Sequence, residues 1–133
     1  MEAFTAPQFK NYALLGRVFM SWHPDLAKEA MKPIQQKPRQ TDLSLMPLYA
    51  LRFEGDTDGM RLFICCMLHL YAPQVFQNIP IKKYGFVRSI ANTLNKSGGY
   101  VSELIGEVIT WYNKDYADFK EKVDKKLKEV EDE

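Results

Sequence analysis

Histidine and cysteine are both scarce in this chain: His23 and His69 are the only imidazoles, and Cys65 and Cys66 the only thiols. The two cysteines are adjacent, a spacing that rarely reaches the geometry of an unstrained disulfide, and no third cysteine offers another pairing. A disulfide framework is therefore excluded, and reduced thiols inside a buried helix are expected, as in a cytoplasmic protein. Cys65, Cys66 and His69 fall within one helical turn, but a zinc site needs about four ligands and only His23 remains. They are read as core, and no metal is expected. Asp56-Thr57-Asp58-Gly59 matches the opening of a calcium loop, yet Met67 stands where the closing glutamate would be, so the segment is read as a helix cap.

Other absences narrow the function classes. No phosphate-cradling glycine loop, Gly-x-Ser-x-Gly elbow or His-Glu-x-x-His occurs. With two histidines and no convergent acid cluster, general acid–base chemistry has few candidates. No catalytic residue, cofactor or small-molecule substrate is expected, and an enzyme is the least expected class. The most apolar run, Leu62 to Leu70, is about half of what crosses a bilayer, so no membrane association is expected. The N-terminus lacks a basic start followed by an apolar run, which again points to the cytoplasm. No segment alternates with the period of a strand.

Net charge is also nearly absent, at +1, but its distribution is uneven. Between Lys10 and Arg52 seven basic residues stand against three acids, and Lys82, Lys83, Arg88 and Lys96 follow one another with no acid between them. Acids gather at Glu54, Asp56 and Asp58 and again from Glu103 onward. A near-neutral chain with this distribution can still present a basic face.

What remains is helical periodicity. The expected fold is all-α: a single compact domain of about five or six helices, with core helices in 1–75, a helix-turn-helix-like pair in 80–107 and a long C-terminal helix continuing through 108–133. Thr5-Ala6-Pro7-Gln8 resembles a capping box opening a helix from about Ala6 to Trp22. Pro24 opens a second helix, Asp25 to Met31, which Pro33 stops. Thr41 to Phe53 reads either as a helix capped by Ser44 with Pro47 in its first turn or as an irregular extended segment. Gly59 to Tyr71 is apolar around most of its circumference, the signature of a helix surrounded by protein, and is the expected central element. Pro73 and Pro80 bracket a connector, a helix runs from Ile81 to Asn95, and a last helix starts near Gly99 and continues beyond Val130. In its final part Val123, Leu127 and Val130 stand singly in a Lys/Glu/Asp background, which suggests an arm that pairs with another helix.

The segment from Phe86 to Ile105 carries the most specific pattern. Ala91 is small enough for a close helix crossing, Asn95 accepts a left-handed turn conformation, and Ser97 can cap the next helix. Val101 can pack back on Ala91, with Ile90, Leu94 and Leu104 completing a small core. With Tyr100-Val101-Ser102 at the turn exit, residues 87–105 resemble the helix-turn-helix of Cro- and repressor-type regulators. The resemblance covers about twenty residues and implies that Ser97, Tyr100 and Ser102 face bases and phosphates of double-stranded DNA. Lys96 departs from it, since such motifs place an apolar residue there. The second helix has no Lys or Arg in its first turns, and Glu103 and Glu107 repel phosphate, so positive charge must come from Lys82, Lys83, Arg88 and Lys96, joined by Lys37 and Arg39. The plainer alternative is two packed amphipathic helices joined by a Gly-Gly turn.

Two functions follow as expectations. The first is a small DNA-binding accessory or regulatory protein that dimerises through Val123, Leu127 and Val130. The second is a helical interaction or assembly protein without a nucleic-acid role, with Val101–Val130 as its partner surface.

Overall fold

A computed structural model of the chain describes residues 12–34, 37–77 and 85–131. The Thr5–Gln8 capping box, the helix start before Tyr12, and Lys82 and Lys83 lie outside the described residues. Those described form seven α-helices and no strand, as an all-α pattern requires. Backbone contacts divide the chain into two compact units, Met1–Gln36 and Lys37–Glu133.

The described part of the first unit is an αα-hairpin of α1 (Tyr12–Trp22) and α2 (Pro24–Ile34), which pack on each other. Pro24 opens α2 at the position where a missing N–H costs nothing. Asp25 in its first turn and Lys32 in its last complement the helix dipole. Pro33 does not stop the helix ahead of itself, because it falls in the final turn, and α2 runs on to Ile34. Among the described side chains of this pair Ala27 is buried and most others are exposed.

The second unit holds the hydrophobic core. The 41–53 segment is helical: Asp42, not Ser44, makes the cap, its carboxylate accepting the Ser44 N–H at 3.0 Å. A short 3-10 turn, Leu43–Leu45, leads into α3 (Met46–Ala50), where Pro47 sits in the first turn. α4 (Thr57–Tyr71) is the central helix; the Asp56 carboxylate caps it by accepting the Gly59 N–H at 2.7 Å, as the acidic turn implied. Phe63, Ile64, Cys65, Cys66, Met67 and Leu68 are all buried along it. At about 1.5–3 kcal/mol for each large apolar side chain removed from water, α4 is the main source of cohesion. The 3-10 turn Pro73–Gln77 follows.

α5 (Phe86–Leu94) and α6 (Gly98–Asn113) pack on α4 and on each other. α5 starts later than its apolar pattern suggested, because Gly85 at φ 82° turns the chain left-handed directly before it.

The expected long C-terminal helix is two helices. α6 ends at Asn113, and Asp115, Ala117 and Asp118 all adopt left-handed backbone conformations at φ 50°, 49° and 61°. The chain thereby reverses, and α7 (Phe119–Glu131) folds back onto α4 and α6. Each left-handed non-glycine residue costs about 1–2 kcal/mol. Burial of Phe119, Val123, Leu127 and Val130 offsets that cost.

The proposed oligomer face is thereby corrected. Val123, Leu127 and Val130 stand singly among charged residues because each fills the core from one edge of α7 while its neighbours meet water. The Cys66 thiol lies 3.9 Å from the Val123 carbonyl, and Lys126 Nζ reaches back to the Arg52 carbonyl at 2.9 Å. Both cysteines are free and buried, and burial pushes both thiols well above their ordinary range, so they stay protonated and unreactive.

Candidate nucleic-acid interface

The turn between α5 and α6 is built as its sequence requires. Asn95 takes the left-handed conformation, φ 57° and ψ 47°, that ends the first helix. The Lys96 N–H then donates to the Ala91 carbonyl at 2.9 Å and the Asn95 N–H to the Asn92 carbonyl at 3.3 Å. This pair of bonds is a Schellman motif, which satisfies the last carbonyls of α5 and reverses the chain in few residues. Ser97 caps α6: its Oγ accepts the Tyr100 N–H at 3.1 Å. Gly98 and Gly99, expected as the turn itself, are the first two residues of α6. Ala91, Ile90, Val101 and Leu104 are buried in the common core, and Leu94 packs against it half-buried.

The outer surface of the pair is polar. Arg88 and Asn92 are exposed one turn apart on α5; Asn95, Lys96 and Ser97 are exposed in the turn; Gly98, Gly99, Ser102, Glu103 and Gly106 are exposed on α6. Beyond Gly98, Gly99 and Gly106 no atom lies within 4 Å of where a Cβ would stand, so the backbone of α6 is approachable there. Arg88 and Lys96 have no acid partner among the described residues. Tyr100 differs from expectation: its ring is half-buried against the core, with Lys96 Nζ 5.5 Å above it. It supports the turn more than it presents an edge outward.

Two further side chains change the electrostatics. Glu107, one of the two acids opposing phosphate, sits 2.7 Å from Arg61 Nε of α4. The contact is an ion pair rather than a hydrogen bond, since Arg61 Nε has no hydrogen-bond partner among the described residues. Arg61 also stacks on Trp111, 4.5 Å from the ring centre. Arg61 also meets Asp58 at 3.1 Å, so Glu107 shares its cation with that acid, and Glu103 is left as the exposed acid on this part of α6. Arg39 pairs with Glu131 at the end of α7, so its charge is engaged there, while Lys37 is exposed in the segment before it.

Sequence reasoning passed over Asn92, although its spacing of four from Arg88 was readable. It could not find Arg61, whose link to Glu107 exists only once α4 and α6 pack. No group of three or more potential metal ligands is found among the described residues, and no described helix is long and apolar enough to cross a membrane.

Compared with known proteins, the chain matches no family model, no curated protein and no solved structure.

Proposed function

We propose that the protein binds double-stranded DNA through α5, the Asn95–Ser97 turn and the start of α6, as a small accessory or regulatory protein. In this reading α5 braces against the phosphate backbone and residues 99–106 enter the major groove. The supporting observation is the turn: a Schellman stop at Asn95, a serine cap at Ser97, and Ala91 and Val101 buried beneath an outer surface of Arg88, Asn92, Lys96, Ser97 and Ser102.

The chemistry of that surface sets the expected strength. Arg88 and Lys96 can each neutralise a phosphate, and Ser97 and Ser102 can donate to phosphate oxygens. Asn92, one turn from Arg88 on α5, can donate its side-chain amide to a phosphate oxygen. So few cations on one copy give weak, salt-sensitive affinity, which pairing of two copies would raise. The rival, an interaction protein without a nucleic-acid role, loses the Val101–Val130 surface on which it rested, because the apolar members of that stripe are buried or half-buried in the core.

The test is a salt series of duplex-DNA binding by fluorescence anisotropy, comparing the wild type with Arg88→Ala/Lys96→Ala. Each lost phosphate contact flattens the plot of log affinity against log salt by about 0.9, so the double variant is expected to lose about two in slope. Adding Lys82→Ala and Lys83→Ala tests the remaining basic residues before α5. No binding at low salt, or an unchanged slope in both variants, refutes the proposal.

A further inference from the structure

The link between α6 and α7 holds a conformation that its residues do not favour. Asp115, Ala117 and Asp118 are left-handed at φ 50°, 49° and 61°, and none of them is glycine. Aspartate visits this region occasionally, but at Ala117 the Cβ crowds the following carbonyl oxygen with nothing to compensate. Lys114 and Phe119, on either side, already hold right-handed dihedrals, φ −96° with ψ −1° and φ −59° with ψ −41°. No glycine or proline stands between Glu107 and Glu133. Turning Asp115, Ala117 and Asp118 right-handed therefore joins Gly98 to Glu131 in one helix about 50 Å long.

The apolar pattern also runs through the link without a break in phase. Val108, Tyr112, Tyr116, Phe119 and Val123 follow one another at steps of four, four, three and four, which is one face of a continuous helix. A reversal makes no such demand on the helices it joins. In the folded-back chain Tyr116 falls outside the core, 58% exposed.

We infer that at high concentration the chain exchanges α7 with a second copy: the 114–118 link straightens, and each α7 packs on the α4 and α6 of its partner. α7 has no free apolar face to offer, so association proceeds by exchange and not by addition. Two straightened helices side by side, related by a two-fold axis at the link, set each α7 beside the other copy's α6, running back along it as in the folded-back chain. Both halves of each helix must then turn the same side toward a core, and the unbroken stripe provides that. The contacts of α7 are remade between chains, Cys66 with Val123, Lys126 with Arg52 and Tyr112 with Asp124. The left-handed residues of both links relax, and both Tyr116 rings come to the axis, where they can bury against each other. Opposing this is the freedom lost when two chains become one body. Short hinges under strain are the ones that invite such an exchange.

Sedimentation velocity of the full chain, refolded from urea at about 1 to 200 μM so that α7 can leave its own core, tests it. At the upper end the expected species has twice the 15.5 kDa chain mass. Ala117→Gly fits φ 49° without strain and weakens a continuous helix, in both chains at once. It is therefore expected to weaken the dimer on the order of 1,000-fold while leaving the monomer folded. Spin labels at Glu103→Cys and Lys128→Cys, both exposed, read the link directly when a labelled chain is diluted into unlabelled chain. Labelling the folded chain spares Cys65 and Cys66, which are buried. Along one helix the two sites stand about 38 Å apart, against less than roughly 25 Å where α7 folds back beside α6. A dimer that shows the long distance and is lost in Ala117→Gly supports the exchange. A monomer at every concentration, or a dimer indifferent to Ala117→Gly, overturns it. So does a dimer that shows only the short distance, which would mean that two copies meet by an outer surface. No residue of α5 or of the Asn95–Ser97 turn enters this inference, so DNA binding can fail while the exchange holds, and the reverse.

Discussion

Exchanging Gly59 for alanine pits helix propensity against packing, and the two predict opposite signs. Gly59 lies in the first turn of α4, and propensity alone says that alanine should add up to about 1 kcal/mol. A Cβ at Gly59, however, would stand 2.1 Å from the Glu54 carbonyl oxygen and 2.7 Å from its carbon. Comfortable contact begins at about 3.5 Å, so the Glu54 backbone would have to retreat by more than about 1 Å. That movement draws on Asp56, whose carboxylate accepts the Gly59 N–H at 2.7 Å. Overpacking of this kind costs about 1–3 kcal/mol, and a weakened cap about 1 more. After the propensity gain, Gly59→Ala should destabilise the protein by about 2 kcal/mol. Gly98→Ala is the internal reference: nothing lies within 4 Å of its Cβ position, so it should be neutral or stabilising by up to about 1 kcal/mol. Urea denaturation followed by far-UV circular dichroism reads both. A Gly59→Ala protein as stable as the wild type would refute the close packing of the 54–56 turn on the start of α4.

Three further outcomes follow from the same structure. His69 stacks on Phe76 at 4.1 Å and meets the edge of Tyr112 at 4.5 Å, and its Nε2 has no hydrogen-bond partner. Burial pulls it down from 6.5 to about 4, with Arg39 adding to the effect and Asp124 and Glu131 opposing it. The unfolded chain therefore binds the proton first: the stability from neutral His69 is full above pH 6.5 and is lost as pH falls toward 4, by about 3 kcal/mol. His69→Phe should flatten the stability difference between about pH 7 and pH 4.5, and an unchanged difference would contradict the burial. Leu127→Ala should cost about 2–5 kcal/mol in urea denaturation at a protein concentration low enough to hold the wild type monomeric; a variant that keeps its stability but changes its oligomeric state would restore α7 as an interface. Asn95→Gly should be tolerated at φ 57°, while Asn95→Val should cost about 1–2 kcal/mol; equal stabilities would mean that the turn is not left-handed.

Much of the second unit was readable residue by residue. The apolar circumference of 59–71 marked α4 as buried, and Asp56 announced its cap. Asn95 and Ser97 identified the stop and start of the α5–α6 pair because both act through bonds within a few residues. The C-terminal stripe was misread for a complementary reason. Its periodicity shows that Val123, Leu127 and Val130 share a face, but periodicity is blind to a reversal at Asp115–Asp118, where no glycine or proline stands. A stripe that could have met another chain meets α4 instead.

The candidate interface divides in the same way. Sequence determined the shape of the turn, since capping and left-handed positions are set by local hydrogen bonds. Only tertiary structure decided its charge: Arg61 reaches Glu107 because α4 and α6 pack, and Tyr100 is withdrawn against the core by the same packing. It also decided which apolar residues are buried, and therefore removed Val123, Leu127 and Val130 of α7 as a free association surface. Local bonds are written in neighbouring residues, whereas solvent exposure belongs to the whole fold.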